Sequence, residues 1–329
     1  HTWRRVDWAR APPMRPPAVS VLCICYNQRN LVRETVESAV AQELESFEVV
    51  VVDDGSTDGT ADEVLKLAAE FPGIVVPVLG EHVGIPQNAN RGLERCRGEF
   101  IAVLGGDDLF LPGKLRAQLD WMRADARRVL CGHDAYIFDS ETGLNRRRYT
   151  DLSSWKEGAG AHAFLSRGFP YLPTSVMLRR SALPAYGFDV RVPFVCDGKL
   201  FIDALLAGGR YGHVPGIYAR YRRHAHNLTT HASDRVLADA FALLELIARE
   251  HPELAAACRD GLARLHLRSG VDAVRSGNGQ NARAHLRKAL ATAPILSWKV
   301  PAWYAVSWLP PQVNSRLIEW AKRRRVAIS

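Results

Sequence analysis

EFIAVLGGDDLFLPGK, residues 99–114, is the stretch on which the fold turns. Phe100–Leu104 is an apolar run with the length of a fully buried strand, and it stops at two glycines and two aspartates, with Pro112 and Gly113 behind. A strand that opens into Gly105, Gly106, Asp107 and Asp108 sets adjacent carboxylates at the carboxyl end of a sheet, where open α/β sheets bind their ligands. Glycine admits a phosphate or sugar at close range, and carboxylate oxygens are the hard ligands that Mg²⁺ or Mn²⁺ prefers. The same four residues serve a tight turn equally well, so the run alone leaves both readings open.

The flanking chain alternates in texture. VSVLCICYN from Val19 is a β-rich run buried on both faces, stopping at Asn27, and Leu31, Val32, Thr35, Val36, Ala39 and Val40 then recur at helical spacing. FEVVVVDDGSTDGT supplies a strand over Phe47–Val52, an acidic glycine-bearing loop, and a helix through Ala61, Val64, Leu65 and Ala68. A third strand over Ile74–Leu79 and a third helix over Pro86–Cys96 precede Phe100. Strand and helix alternating through four strands predict an α/β fold, a doubly wound and mostly parallel sheet. If the strands ending at Asp53 with Asp54 and at Asp107 with Asp108 are neighbours, both pairs crowd one edge. That is costly without a cation or a donor-rich ligand such as a nucleotide. The alternative for Asp53 and Asp54 is a turn and helix cap, with Asp58 or Thr60 as the better-placed cap.

Composition narrows the class. The chain has 329 residues, 47% hydrophobic and 24% charged, enough for one large domain with an appendage or for two domains. It has no run of 18 uncharged apolar residues, and HTWRRVDWARAPPMRPP lacks the apolar core of a signal peptide, so the expectation is a cytoplasmic protein. The six cysteines show neither C-x-x-C nor zinc spacing and read as core residues. Residues 259–329 carry 13 Lys/Arg against 3 Asp/Glu, whereas residues 1–258 carry 30 against 32. A basic tail suits an anionic membrane surface, which predicts peripheral attachment to the inner face of the membrane, and no nucleic-acid motif accompanies it. Neither a G-x-x-x-x-G-K-[ST] loop nor G-x-G-x-x-G after the first strand is present, which removes support for an ATPase or a nicotinamide enzyme.

VSVLCICYNQRNLVRETVESAVAQ, FEVVVVDDGSTDGT and HVGIPQNANRGLERCRGEFIAVLGGDD, in that order and with Pro112 and Lys114 following, resemble the family 2 glycosyltransferases of the GT-A fold. The resemblance spans Val19–Met122 and extends less specifically, through PTSVMLRRSAL, GFD and YRRHAHNLT, to Thr230. It implies an inverting transfer of a sugar from a nucleotide donor, a UDP-sugar, to a glycan, lipid-linked or polymer acceptor, with Mn²⁺ or Mg²⁺ as cofactor, in cell-surface polysaccharide synthesis. By the same resemblance Tyr26 and Asn27 match the segment touching base and ribose, and Cys25 and Gly106 are counted with the donor site. Asp53 matches the aspartate on the base edge, with Asp54 beside it, and Asn90 and Arg91 match helix residues near the diphosphate. Asp107 matches the metal-binding aspartate of D-x-D, Asp108 follows it near the donor sugar, and His224 matches a histidine near the metal. Asp197, after the GFD turn, matches the general base. The first aspartate of D-x-D is Gly105 here, which opens the alternative of a glycosyltransferase-like protein that binds nucleotide or glycan without turnover. A nucleotide-sugar pyrophosphorylase would need a glycine-rich basic loop where this chain reads CYNQRNL.

The remaining chain is less decisive. Val129–Phe138 reads as two short strands, Asp139–Gly143 as a hairpin turn, and NRRRYT as a solvated loop. His133 and Asp134 are candidates for the acceptor pocket or merely a polar pair on a strand. Asp197 begins a helix, where the dipole would lower its pKa. The predicted organisation is an arm over 1–18, a GT-A domain over 19–232 (nucleotide half 19–125, acceptor half 126–232) and a helical region over 233–329. In that last region GLARLHLRSGVDAVRSG and NARAHLRKALATAP resemble a helix pair. Trp298, Trp303, Tyr304, Trp308 and Trp320 lie near basic residues, which suits a membrane interface or a packed helical lid.

Overall fold

In the computed structural model, residues 16–148, 160–168, 172–224, 227, 233–293, 299–310 and 313 are described. The expected alternation is there at the start of the chain. Strand β1 (Val19–Cys25) lies between β2 (Phe47–Asp53) and β4 (Phe100–Gly105), with β3 (Val75–Leu79) outside β2, all parallel. The crossovers carry α1 (Val32–Val40), α2 (Thr60–Glu70) and α3 (Ile85–Leu93). Val49, Val50, Val51 and Val52 are each 0% exposed, so β2 is covered on both faces, as a central parallel strand requires. Cys25 is level with Asp53 and Ile24 with Gly105, so these strands end at one edge of the sheet.

Beyond β4 the expected mostly parallel sheet takes in antiparallel strands. With β5 (Leu109–Phe110), β6 (Arg128–Asp139), β8 (Met177–Arg179) and β9 (Arg210–Arg223) the order is β3-β2-β1-β4-β8-β6-β9-β5. The two-residue β5 is followed by α4 (Lys114–Arg123). Strand β8 runs antiparallel to both β4 and β6, while β9 is parallel to β6 and antiparallel to β5. Val129–Phe138 therefore belongs to one long strand whose register against β9 shifts between Arg128 and Leu130 and twice between Gly132 and Ala135. The expected loop at NRRRYT begins instead as β7 (Asn145–Arg148), the hairpin partner of β6. The turn between them is fixed by the Asp139 carboxylate, which accepts from the Glu141 and Thr142 amides at 3.0 and 3.1 Å. Helix α6 (Cys196–Leu206) completes this unit, which comprises residues 1–160 and 170–231.

A second unit gathers residues 161–169 and 232–329: α5 (Ala161–Arg167), α7 (Ser233–Glu250), α8 (Ala255–Arg275), α9 (Gly279–Thr292) and α10 (Lys299–Val306). The segment 161–169, which the sequence placed with the acceptor half, groups with these helices. Gly261 shows why: a Cβ there would stand 2.2 Å from the Leu165 carbonyl oxygen, so the missing side chain lets α8 close on α5. The expected α8–α9 pair forms around Ala273, Val274, Ala282 and Leu286, joined by Val300 and Trp303 of α10. Trp303 is 7% exposed and Trp308 61%, so the two described tryptophans of the tail divide between packing and solvent. Trp298 and Trp320 lie outside the described residues. All six cysteines are buried and free, and no described helix is long and apolar enough to cross a membrane.

Candidate active site

The carboxyl edge of the sheet is built by a close approach. At Gly106 a Cβ would meet the Gln28 side-chain oxygen at 2.2 Å and the Cys25 Cβ at 2.6 Å, so only glycine lets the β4 loop fold against the end of β1. Thr35 of α1 donates its hydroxyl to the Gly106 carbonyl at 3.1 Å and locks the loop there. Asp107 projects from this loop with its side chain 16% exposed. Its Oδ2 is 2.9 Å from His224 Nε2 and 3.3 Å from Asn227 Nδ2, which donates to it. Residues 107 and 224 are thus brought together across 117 positions because β9 runs through to this edge.

Arg222 organises the neighbouring carboxylate. It is 5% exposed; its backbone amide donates to Asp108 Oδ1 at 2.9 Å, its Nε donates to the Asp107 carbonyl at 2.7 Å, and its Nη2 pairs with Glu34. Burial, and then the adjacent Asp107 charge, push the Asp108 carboxyl well above the usual range. Arg222 and Asn227 escaped the sequence reading, although the R-x-H-x-x-N spacing around His224 was there to be used.

The first pair of aspartates is spent on its own loop. Strand β1 lies between β2 and β4, so Asp53 and Asp107 stand about two strand spacings, roughly 10 Å, apart, and the expected crowding of the pairs does not arise. Asp53, 1% exposed, accepts from the Ser56 amide at 2.9 Å and from the Ser56 hydroxyl. Asp54 accepts from the Val83 and Gly84 amides at 2.9 and 3.0 Å and pairs with His82 Nδ1 at 2.8 Å. Asn27 sits at φ 51°, takes the Thr57 amide on its side-chain oxygen at 2.9 Å and donates its own amide to the Ser56 hydroxyl. Tyr26, 44% exposed, stacks on His82 with ring centroids 4.6 Å apart, an open aromatic shelf of which sequence reading found only half. Cys25 is 2% exposed with its thiol turned to the Val52 carbonyl, so it offers the donor site no side-chain group.

Several expected residues do other work. Asn90 donates to the Tyr186 and Phe188 carbonyls at 3.2 and 2.9 Å and accepts from the Phe188 amide at 2.7 Å, so its amide ties α3 to the GFD turn instead of facing a diphosphate. Arg91 reaches Asn88 Oδ1 and the Glu81 carbonyl, each at 3.3 Å. His133 and Asp134 are 2% and 0% exposed, enclosed within β6 and not presented to an acceptor. Asp197 is half-buried on the first turn of α6, whose N-cap is Val195 without a side-chain cap, and its Oδ1 accepts from the Gly198 amide at 2.8 Å. Burial raises its carboxyl pKa, opposite to the lowering expected from the helix dipole.

Asp107 and His224 are the residues here that could hold a divalent cation. One carboxylate and one imidazole converge there, a mixed oxygen and nitrogen set that Mn²⁺ accepts more readily than Mg²⁺. Among the described residues no third His, Cys, Asp or Glu completes a protein-only cage, so a nucleotide's own oxygens would finish the coordination.

Residues 20–187 match the model of the glycosyl transferase family 2. An uncharacterized protein of Mycobacterium tuberculosis is 31% identical over 213 residues, covering 64% of this chain and 60% of that protein. The amylovoran biosynthesis glycosyltransferase AmsE of Erwinia amylovora is 27% identical over 206 residues, covering 62% of this chain and 75% of AmsE. The chain thus spans about 60% of the length of the first of these relatives. Among solved structures, residues 1–349 of S. aureus TarS in complex with UDP-GlcNAc share the fold at 16% identity, with a TM-score of 0.61 over 93% of this chain and 91% of that one. The mannosyltransferase PcManGT of Pyrobaculum calidifontis, in complex with GDP-Man and Mn²⁺, shares it at 19% identity, with a TM-score of 0.57 over 95% and 90%.

Proposed function

Because the chain belongs to the glycosyl transferase family 2, we propose that it transfers a sugar from a nucleotide donor, a UDP-sugar, to a hydroxyl of a glycan or lipid-linked acceptor in cell-surface polysaccharide synthesis. The observation that carries this reading is the convergence of Asp107, His224, Asn227 and Arg222 at the carboxyl edge of the sheet. Mn²⁺ or Mg²⁺ bound by Asp107 and His224 would supply charge neutralisation for a departing diphosphate. Tyr26 on His82 offers a stacking shelf for the base.

The reaction is a single displacement. Asp197 takes the proton of the acceptor hydroxyl, the acceptor oxygen bonds to the anomeric carbon, and the bond from that carbon to the diphosphate oxygen breaks with inversion. A carboxylate whose pKa is raised by burial is a better base than an exposed one, and its hydrogen bond to the Gly198 amide fixes one oxygen. Replacing Asp197 with Asn is expected to keep UDP and Mn²⁺ binding and to cut transfer by roughly 10² to 10⁴-fold. Near wild-type transfer by that variant would remove Asp197 from the mechanism. Asp107→Asn is expected to abolish the Mn²⁺-dependent thermal stabilisation by UDP, and an unchanged shift would count against the metal assignment.

A second reading, binding without turnover, has one observation in its favour. A side chain at position 105 would begin 3.0 Å from Asp107 Oδ1, and glycine there leaves the loop one carboxylate short of D-x-D. Metal-dependent hydrolysis of a panel of UDP-sugars by the wild type separates the two, since a binding module gives none.

A further inference from the structure

The opposite edge of the same sheet holds a cavity that the proposed reaction does not use. It has a volume of about 430 Å³ and lies at the amino end of β1 and β4, the length of β1 or about 20 Å from the Asp107 edge. Its charged lining consists of Arg97, Arg116, Arg123 and Arg180 with Glu45 and Glu99, and Leu44, Leu119, Pro16 and Pro17 supply apolar wall. Arg116 and Arg123 lie two turns apart on α4, so one helix face turns two guanidinium groups to it.

The ion pairs divide these charges unequally. Arg97 is held by Glu48, 1% exposed, through Nε at 2.9 Å and Nη2 at 2.7 Å. Glu99 pairs with Arg179 at 2.9 Å and lies 3.8 Å from Arg123. Arg116 and Arg180 are exposed and enter no ion pair or side-chain hydrogen bond among the described residues. Two guanidinium forks are thus presented to a cavity of ligand size with their donors open to solvent.

We propose that this cavity is a second ligand site, which binds a phosphate monoester or diester on a small organic body through Arg116 and Arg180, with the body against Leu44 and Pro16. Guanidinium forks pair bidentately with phosphate oxygens, and a pocket with both arginines and apolar wall selects an esterified phosphate over the bare ion. The ester comes either from a soluble polyol or sugar phosphate or from a lipid headgroup.

Titration calorimetry on the full chain with glycerol 3-phosphate and with inorganic phosphate tests this. Expected are saturable binding of glycerol 3-phosphate, tighter than that of inorganic phosphate, and at least a tenfold weakening in R116Q/R180Q. The stabilisation by UDP and Mn²⁺ is unchanged in that variant, because neither arginine belongs to the Asp107 edge. Displacement of glycerol 3-phosphate by phosphatidylglycerol vesicles, and not by phosphatidylcholine vesicles, assigns the ester to a lipid; absence of displacement assigns it to a soluble ligand. Equal binding by wild type and R116Q/R180Q, or no saturable binding by the wild type, overturns the site.

Discussion

Lys114 takes a charge into the core: it is 0% exposed, donates to Gln118 Oε1 at 2.5 Å and lies 4.1 Å over the Phe110 ring. Burial lowers its pKa from 10.5 to about 7. The sign of the pH effect follows from which state holds the proton. Between pH 7 and 10.5 the unfolded chain carries a proton on this amine that the folded chain has lost, so stability rises with pH across that window. Below pH 7 both states are protonated and the folded state bears the full desolvation cost. Lys114→Met is therefore expected to be more stable than wild type at neutral pH, and the gap should close by up to about 1.4 kcal/mol per pH unit as pH rises. Denaturant unfolding at pH 7, 8 and 9.5 checks it, and a gap independent of pH would mean that Lys114 stays charged in the folded core.

At the scale of elements, Asn90 shows how a motif residue can hold elements together while sitting beside a site. Its amide makes three hydrogen bonds to the 186–188 turn, and Gly187 has φ 67°, with a Cβ there placed 2.2 Å from the Asn90 side-chain oxygen. That turn leads to α6 and Asp197, and a further network of Tyr186, Lys199 and Asp203, with contacts of 2.6–2.9 Å, binds turn to helix. Asn90→Ala strands the Phe188 amide and two carbonyls, which costs about 1–3 kcal/mol. Its expected signature is a lower Tm with UDP affinity unchanged. If Asn90 instead touched the diphosphate, the same variant would lose UDP affinity and keep its Tm, so calorimetry beside thermal melting decides between the two. The sequence exposed the N-A-N-R-G motif but not its partners, because those partners sit 96 and 98 residues away.

For the whole molecule the basic tail sets the prediction. Residues 311–329 carry five Lys/Arg against one Glu, and the chain just before them presents Trp308, 61% exposed, with the Arg283 guanidinium 4.3 Å from its ring. Aromatic and basic groups side by side suit an anionic bilayer surface. A chain ending at Pro310 is expected to lose sedimentation with anionic vesicles at physiological salt and to keep donor hydrolysis. Continued sedimentation would place the membrane contact elsewhere. The cut belongs after Pro310 because Val300 and Trp303, 1% and 7% exposed, are part of the core of α8, α9 and α10 and have to be kept.

Strands β1, β2 and β4 were legible in the sequence because parallel strands covered on both faces read as unbroken apolar runs that stop at Gly, Asp or Asn, and the edge strand β3 was legible from its valines and the turn at Gly80. For the same local reason Asp107 could be placed at a strand end from its own neighbours. β6 was split in two because a bulged strand interrupts its own alternation at Gly132–Asp134, and β7 was missed because three consecutive arginines carry no apolar face. What only the tertiary structure decided is which polar groups meet. The gathering of Arg222 and Asn227 around Asp107 and Asp108, the spending of Asp54 and Asn90 on loop hydrogen bonds, and the raised pKa of Asp197 all depend on burial or on partners distant in the chain. A residue type fixes what a side chain can donate or accept, but the packing around it fixes whether that capacity is left for a ligand.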